Sequence, residues 1–394
     1  MSGHRIRKLA VGAAAVALIA AVAQSATASP ARPAGHHGGG RPLQHVFYIM
    51  MENHGYDEII GNWADAPFTN LLARHSGLET DYYGVTHPSL PNYLAAISGD
   101  FQGIWDDCKA GADVFCPPEE FIPGSGDGTD GDYLTQAQIA SASATAHMFP
   151  GQNLVDQLEA HHLTWKAYMQ SIPSVGSEVE YAPTIDTPNG PVTVKLYAQK
   201  HNPFMYFSDI NYPGSPRLNR IVPFEGRFAA DLASGHVPSF AWISPDQCHD
   251  MHGMAPDQAA LIGIPSCGYP DSGLDHGAIQ LGDAFLRSTI TQIERSRVWR
   301  TTNSAIVVTW DEDDYTGFSG CCGSPTGNNG VILGGAQVPT IVVTHGGFWG
   351  STLNVPANHY SLLATIEQQW HLGCLANSCD IPPSGLLTPL FRNW

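Results

Sequence analysis

Positive charge is scarce in this chain. Lysine and arginine number 18 among 394 residues, against 36 aspartates and glutamates, for a formal balance of −18. Such a surface repels nucleic acid and anionic membranes at long range, so no nucleic-acid partner is expected. Long apolar runs are also missing. The stretch closest to a membrane span, Leu9 to Ala23, falls short of the ~20 residues a spanning helix needs, and no stable membrane anchor is expected. His4, Arg5, Arg7 and Lys8 precede it and Ala26-Thr27-Ala28 follows it. Together these read as a secretory signal peptide over residues 1–28. No twin-arginine pair is present, which favours the general secretory route. Three basic residues and no acid fall in that segment, so the exported chain carries −21. That charge suits a soluble, secreted, monomeric protein and one that binds cations.

The cysteines lack the spacing of a zinc ribbon, which excludes them from a metal site. There are eight, all beyond residue 28. An even count in an exported chain points to disulfides. Cys108–Cys116, Cys248–Cys267 and Cys374–Cys379 are short-range pairs. Cys321 and Cys322 either bridge each other or pair elsewhere. Internal repeats are absent too, as is any second linker beyond the Pro/Gly/His-rich segment at 29–43. Residues 44–394 therefore read as one domain. Gly/Pro/Asp-rich stretches near 101–146 and 171–223 read as excursions over its active edge.

What the chain does contain is a series of apolar strand-length runs alternating with helical patterns. His45–Met51, Leu163–Tyr168, Ser239–Ser244, Ser304–Trp310 and Val338–Val343 are the strands. Asn92–Ser98, Gln152–His161, Phe228–Leu232, Ala278–Ile293 and His359–His371 are the helices. Continuous apolar strands separated by helices predict an α/β protein, a three-layer αβα sandwich around a mostly parallel sheet. In such sheets ligands gather at the carboxyl ends of the strands. Polar clusters follow four of the strands: Glu52-Asn53-His54, Asp246 to His252, Asp311 to Asp314, and His345-Gly-Gly. Strands lying side by side in one direction would bring all of them to one edge.

Each cluster alone fits a solvated loop as well as a site. Asp311-Glu312 ends an apolar β-branched strand, where a carboxylate pair needs a compensating cation. Glu52-Asn53 adds a carboxylate and a carboxamide, both hard ligands. Asp250-Met251-His252 adds an acid and an imidazole, and His359 opens the last helix, with Asn358 available as its cap. Between these lies THPSLPNY. Ser89 there is either a turn residue between prolines or a hydroxyl presented at a helix start, where free N–H groups favour an anion. A hydroxyl beside a cation can lose its proton at ordinary pH and act as a nucleophile. Together the clusters suit phosphoryl transfer through a phosphoserine.

Five segments in order, MENHGYDEIIGN, THPSLPNYLAAISG, ISPDQCHDMHG, VVTWDEDD and NHYSLLATIE, resemble the secreted bacterial phosphoesterase family. That family contains acid phosphatases and phosphatidylcholine-type phospholipases C and belongs to the alkaline phosphatase-like superfamily. The resemblance spans about residues 45–372. It implies an alkaline phosphatase-like fold and one or two divalent cations, with calcium, magnesium, manganese and zinc all open. By position, Ser89 matches the nucleophile, Asn92 a phosphate-contacting asparagine, and Glu52, Asn53, Asp311 and Glu312 the metal ligands. Asp250, His252 and His359 match a group that binds a second metal or contacts the phosphate; Asp250 is taken as a ligand and the two histidines as substrate contacts. His87 is taken as a phosphate contact or leaving-group acid. Asp246 stands where the commoner form of the motif has Asn. A sulfatase is excluded, because no arginine follows Ser89-Leu-Pro at the required place.

The expected activity is a secreted, metal-dependent phosphomonoesterase of acid phosphatase type acting on small-molecule phosphate esters. The competing readings are a phospholipase C cleaving a phosphodiester of a phospholipid, and a non-catalytic exported protein that binds cations and phosphate.

Overall fold

The computed structural model describes residues 42–119, 133–314, 317–345 and 350–392. The expected signal peptide and nearly all of the linker lie outside the described residues. Leu43, assigned to the linker's end, is buried, and its carbonyl accepts the Trp370 indole N–H at 2.8 Å.

The apolar runs form the sheet they predict. We number its strands β1 (His45–Met51), β2 (Gly77–Glu79), β3 (Trp165–Met169), β4 (Ile221–Pro223), β5 (Phe240–Ser244), β6 (Ser304–Trp310), β7 (Thr340–Thr344) and β8 (Ser351–Leu353). Their spatial order is β8-β2-β7-β6-β1-β5-β3-β4. The five strands from β6 to β4 are parallel, β8 is parallel to β2, and β7 is antiparallel to both its neighbours. All seven residues of β6 are buried, as are all five of β5, which is why these segments read as continuous apolar runs. The short strands β2, β4 and β8 carry too few residues to show a period. Residues 221–223, read as the end of an excursion, are in fact the sheet's edge.

Helices cover both faces. On one, α2 (Ser89–Ser98) packs with α3 (Leu154–Ala160) and α6 (His359–Trp370); on the other, α1 (Pro67–His75) and α4 (Arg227–Ser234) pack with α5 (His276–Arg295). All ten residues of α2 are buried, and the helix stops at Gly99 in the left-handed region (φ 73°). A Cβ there would meet the Leu375 carbonyl oxygen at 2.1 Å, so only glycine fits. Asn358 caps α6, its side chain accepting from the N–H groups of Tyr360 and Ser361. The three short-range disulfides form as expected, and Cys321 bridges its neighbour Cys322.

Strand direction corrects one expectation. Because β7 runs opposite to β6, with Thr344 beside Ala305, its C-terminal end lies at the start of β6. His345 therefore sits at the edge opposite Asp311, and its N–H points to Ser304 rather than to the other polar clusters. Those three do converge. Met51 pairs with Trp310, so Glu52 and Asp311 leave adjacent strands side by side. The Glu52 N–H donates to the Asp250 carbonyl at 2.8 Å and ties in the third cluster.

The loop carrying Ser89 is pressed onto this edge through a glycine. A Cβ on Gly84 would lie 2.6 Å from the Asp311 carbonyl oxygen and 2.9 Å from the Gly335 Cα, backbone that has no room to yield. Gly84→Ala is expected to cost about 1–3 kcal/mol through this overpacking. Thermal denaturation followed by circular dichroism should show a midpoint lowered by several degrees; an unshifted midpoint would contradict the close approach.

Candidate active site

Ser89 is the first residue of α2, and its hydroxyl faces the sheet edge. Its Oγ lies 3.1 Å from Glu52 Oε2, 3.0 Å from Glu312 Oε1 and 3.5 Å from Asn53 Oδ1. Asn53 adopts positive φ (51°), a conformation that asparagine tolerates, and its N–H donates to Asp311 Oδ1 at 3.1 Å. One expected nucleophile and four expected ligands thus meet in one place. Asp250 stands beside them: its Oδ1 accepts the His252 N–H at 2.8 Å.

Two residues that sequence reasoning did not single out complete the cluster. Lys200 Nζ lies 3.1 Å from Ser89 Oγ, 2.8 Å from Asp107 Oδ2 and 3.4 Å from His252 Nε2. His201 lies between two carboxylates, Nε2 3.3 Å from Glu52 Oε1 and Nδ1 3.2 Å from Asp250 Oδ2. Its ring stacks on Tyr93 of α2, with centroids 5.2 Å apart and planes 9° from parallel. Both come from the short turn that ends the antiparallel hairpin Tyr181–Thr187/Gly190–Ala198, inside the second excursion. The hairpin itself has a sequence signal, Asn189-Gly190 followed by alternating Val192, Val194 and Leu196, but that signal says nothing of where the turn after it points. The available clue was an adjacent Lys-His pair in a chain poor in basic residues.

The electrostatics are those of too little positive charge. Glu52, Asp250, Asp311 and Glu312 are all fully buried. Burial pushes each carboxyl well above its ordinary range, and neighbouring carboxylates add to the effect, Asp311 on Glu52 and Glu312 on Asp311. Lys200 answers them: burial opposes its charge, but Asp107, Glu52 and Glu312 hold the ammonium well above its usual value. Burial and Lys200 keep His201 and His252 neutral, with His252 lowered to about 3. Among the described residues Asp311 Oδ2 is buried without a hydrogen-bond partner, while Glu52 Oε1 and Asp250 Oδ2 face only the His201 ring nitrogens, in no aligned hydrogen bond.

Three expected residues have other employment. His87 places Nδ1 2.5 Å from Glu312 Oε2 and Nε2 3.2 Å from the Gly317 carbonyl, so it braces Glu312 from behind Ser89. Neither ring nitrogen is on Ser89 Oγ. His359 likewise spans the Asp311 carbonyl (2.8 Å) and the Tyr82 hydroxyl (3.0 Å), holding the strand end rather than facing the serine. Asn92 is saturated by backbone. Its Oδ1 accepts from Val85 and Thr86 N–H, and its Nδ2 donates to the Thr86 and Pro88 carbonyls. It shapes the loop that presents Ser89 and has no atom left for a phosphate. Asp246 turns to His249 and Ser171, at 2.7 Å each.

A serine hydroxyl among buried carboxylates, at a helix start and beside an ammonium, is the equipment of phosphoryl-ester hydrolysis. The chain belongs to the phosphoesterase family, whose profile matches residues 62–262 and 269–373. It is similar to the phosphatidylinositol-3-phosphatase of Mycobacterium tuberculosis, at 27% identity over 86% of this chain and 81% of the relative. It is also similar to an acid phosphatase of Aspergillus fumigatus (26% identity, 85% of this chain) and a probable acid phosphatase of Kluyveromyces lactis (24%, 85%). It spans 57% and 60% of the length of those two fungal relatives. Among solved structures, a protein of the alkaline phosphatase superfamily from Vibrio parahaemolyticus aligns with TM-score 0.45 at 12% identity, over 92% of this chain and 72% of its own. The protein is a phosphoric ester hydrolase.

Asn92→Ala is expected to lower the free energy of unfolding by about 2–4 kcal/mol, because it strands buried backbone groups. Urea denaturation measures this; an unmoved midpoint would instead free the carboxamide for a role toward ligand.

Proposed function

We propose that this chain is a secreted, metal-dependent phosphomonoesterase of acid phosphatase type in which Ser89 is the nucleophile. The observation that carries the reading is the position of the Ser89 hydroxyl, within 3.5 Å of Glu52, Asn53, Glu312 and Lys200 at the start of a buried helix. Glu52, Asn53, Asp311 and Glu312 form an oxygen-rich donor set suited to a hard divalent cation, with Asp250 and the neutral imidazoles of His201 and His252 as further donors. The Asp311 Oδ2 without a partner among the described residues, and the Glu52 and Asp250 oxygens that meet only His201, support that fit. A divalent cation held there would offset the carboxylates and favour the alkoxide form of Ser89.

Within this reading, the chain's own groups divide the labour. The Ser89 hydroxyl has Glu52 and Glu312 as alternative acceptors for its one proton. Ser89 Oγ gives its proton to Glu52 or Glu312 and attacks phosphorus in line, the bond to the alcohol oxygen breaks, the alcohol leaves with a proton taken from water, and a phosphoserine forms. Water then cleaves that phosphate bond and releases inorganic phosphate. Lys200 places positive charge against the phosphoryl oxygens, where charge builds in the transition state. His252 stays neutral and holds Lys200 from the far side. The disulfides fit an oxidising, extracellular setting. Among the described residues no helix is long and apolar enough to cross a membrane.

The substrate is a phosphate monoester. The similarity to a phosphatidylinositol-3-phosphatase makes a phosphoinositide monoester the lipid substrate to test first. Ser89→Ala should reduce kcat/KM on p-nitrophenyl phosphate by about 10³-fold or more while leaving the fold intact. Retained turnover in a folded Ser89→Ala variant would sink the assignment. Faster hydrolysis of phosphatidylcholine than of p-nitrophenyl phosphate and phosphatidylinositol 3-phosphate would favour the phospholipase C reading. Chelation should abolish activity and also lower the thermal midpoint, because the buried carboxylates lose their compensation. A midpoint indifferent to chelator would argue against a bound cation.

A further inference from the structure

We propose that Asp107 is an internal competitor for the phosphate-binding donors beside Ser89 and thereby sets the affinity of the site for phosphate. The inference rests on the reading of Ser89 as nucleophile. Leu90 is the second residue of α2, and its N–H is one of those a helix leaves without an intrahelical partner. The residue before the helix, Pro88, supplies no side-chain cap. Asp107 fills the gap from outside: its Oδ1 accepts the Leu90 N–H at 2.9 Å, and its Oδ2 accepts from Lys200 Nζ at 2.8 Å. The same ammonium lies 3.1 Å from Ser89 Oγ. One carboxylate thus engages the two donors closest to the nucleophile with two oxygens, as two oxygens of a phosphoryl group would.

The loop holding Asp107 is braced. Asp106 Oδ1 accepts from the Cys108 N–H at 3.0 Å and lies 2.7 Å from His147 Nε2, and both side chains are fully buried. Cys108 is bonded to Cys116, and the Asp107 N–H donates to Glu119 Oε1 at 3.2 Å. The backbone is therefore fixed, but the Asp107 side chain keeps 18% of its surface accessible and can rotate toward solvent. Phosphate binding needs that rotation. A site whose competent form is only fractionally populated binds more weakly by that fraction. The cost falls equally on the product, so the returning carboxylate helps to expel inorganic phosphate.

The test is isothermal titration calorimetry of inorganic phosphate into the full chain, with steady-state kinetics on p-nitrophenyl phosphate alongside. Asp107→Asn should bind phosphate about tenfold more tightly than wild type, a donor pair occupied about nine-tenths of the time being released. KM should fall by a similar factor. Asp107→Ser serves if the asparagine variant does not fold. Glu119→Gln is the control for charge alone, since Glu119 neighbours Asp107 but touches neither donor. Phosphate affinity equal to or weaker than wild type in the Asp107 variants, or an equal gain in Glu119→Gln, overturns the proposal. A fall in kcat with KM unchanged or raised would show instead that Asp107 merely positions Lys200. The heat of phosphate binding needs no turnover. A wild-type protein that hydrolyses no ester would therefore remove the Ser89 assignment, while the ranking of phosphate affinities still decides the role of Asp107.

Discussion

The withdrawal of Glu52, Asp250, Asp311 and Glu312 from water, all in one place, is the constraint to which the rest of the structure answers. Each carboxylate moved alone into such surroundings costs several kcal/mol, and neighbours of the same sign raise the cost. The fold offers partial relief: main-chain N–H groups on Asp311 and Asp250, the Ser89 hydroxyl, and the Lys200 ammonium. Glu52 and Asp250 nevertheless each turn one buried oxygen to His201 alone, and Asp311 Oδ2 has no partner among the described residues. The cation proposed for this site would offset those charges and, once bound, would favour an anionic ligand. The anionic surface and the proposed anionic substrate are therefore not in conflict.

Sheet geometry is what lets the chain impose this. The two central strands β1 and β6 are parallel and in register, so the residues that follow Met51 and Trp310 emerge side by side. Their interiors are too apolar to slip, because a shift of one residue would turn buried side chains to the wrong face. The Asp311 main chain then anchors two further pieces. Its N–H donates to the Met51 carbonyl, and its own carbonyl receives His359 from the start of α6. His87 does the same for Glu312, and Asn92 for the turn that presents Ser89. In this structure His359, His87 and Asn92 thus hold the groups that surround Ser89.

How much of this was legible in the sequence follows from which signals are local. The strands β1, β5 and β6 declare themselves as apolar runs, and the polar residues at their ends were read as one cluster because parallel strands leave from the same edge. His345 was misplaced by that same logic, since strand direction is set by the connection and not by the strand's own residues. Asn92, His87 and His359 were found as members of the site region, but their hydrogen-bond partners are distant in sequence and reassigned their roles. Lys200 and His201 were missed altogether. They sit beyond a hairpin that Asn189-Gly190 and the alternation of Val192, Val194 and Leu196 announce locally, and nothing local tells that it folds back over Ser89.

The two excursions bring opposite charges to one serine. The second contributes Lys200 and His201; the first contributes Asp107, which faces the same ammonium. The carboxylate cluster is built on the strand ends and cannot change without disturbing the core. Lys200 and Asp107 lie outside the strands, so their charges can be altered one side chain at a time, although the second excursion also buries Phe204, Met205, Tyr206 and Phe207 in the core. Strand register fixes the carboxylate cluster, and Lys200 serves both the proposed chemistry and the affinity for phosphate. Asp107, which meets that ammonium from the other excursion, bears on the affinity without entering the cluster.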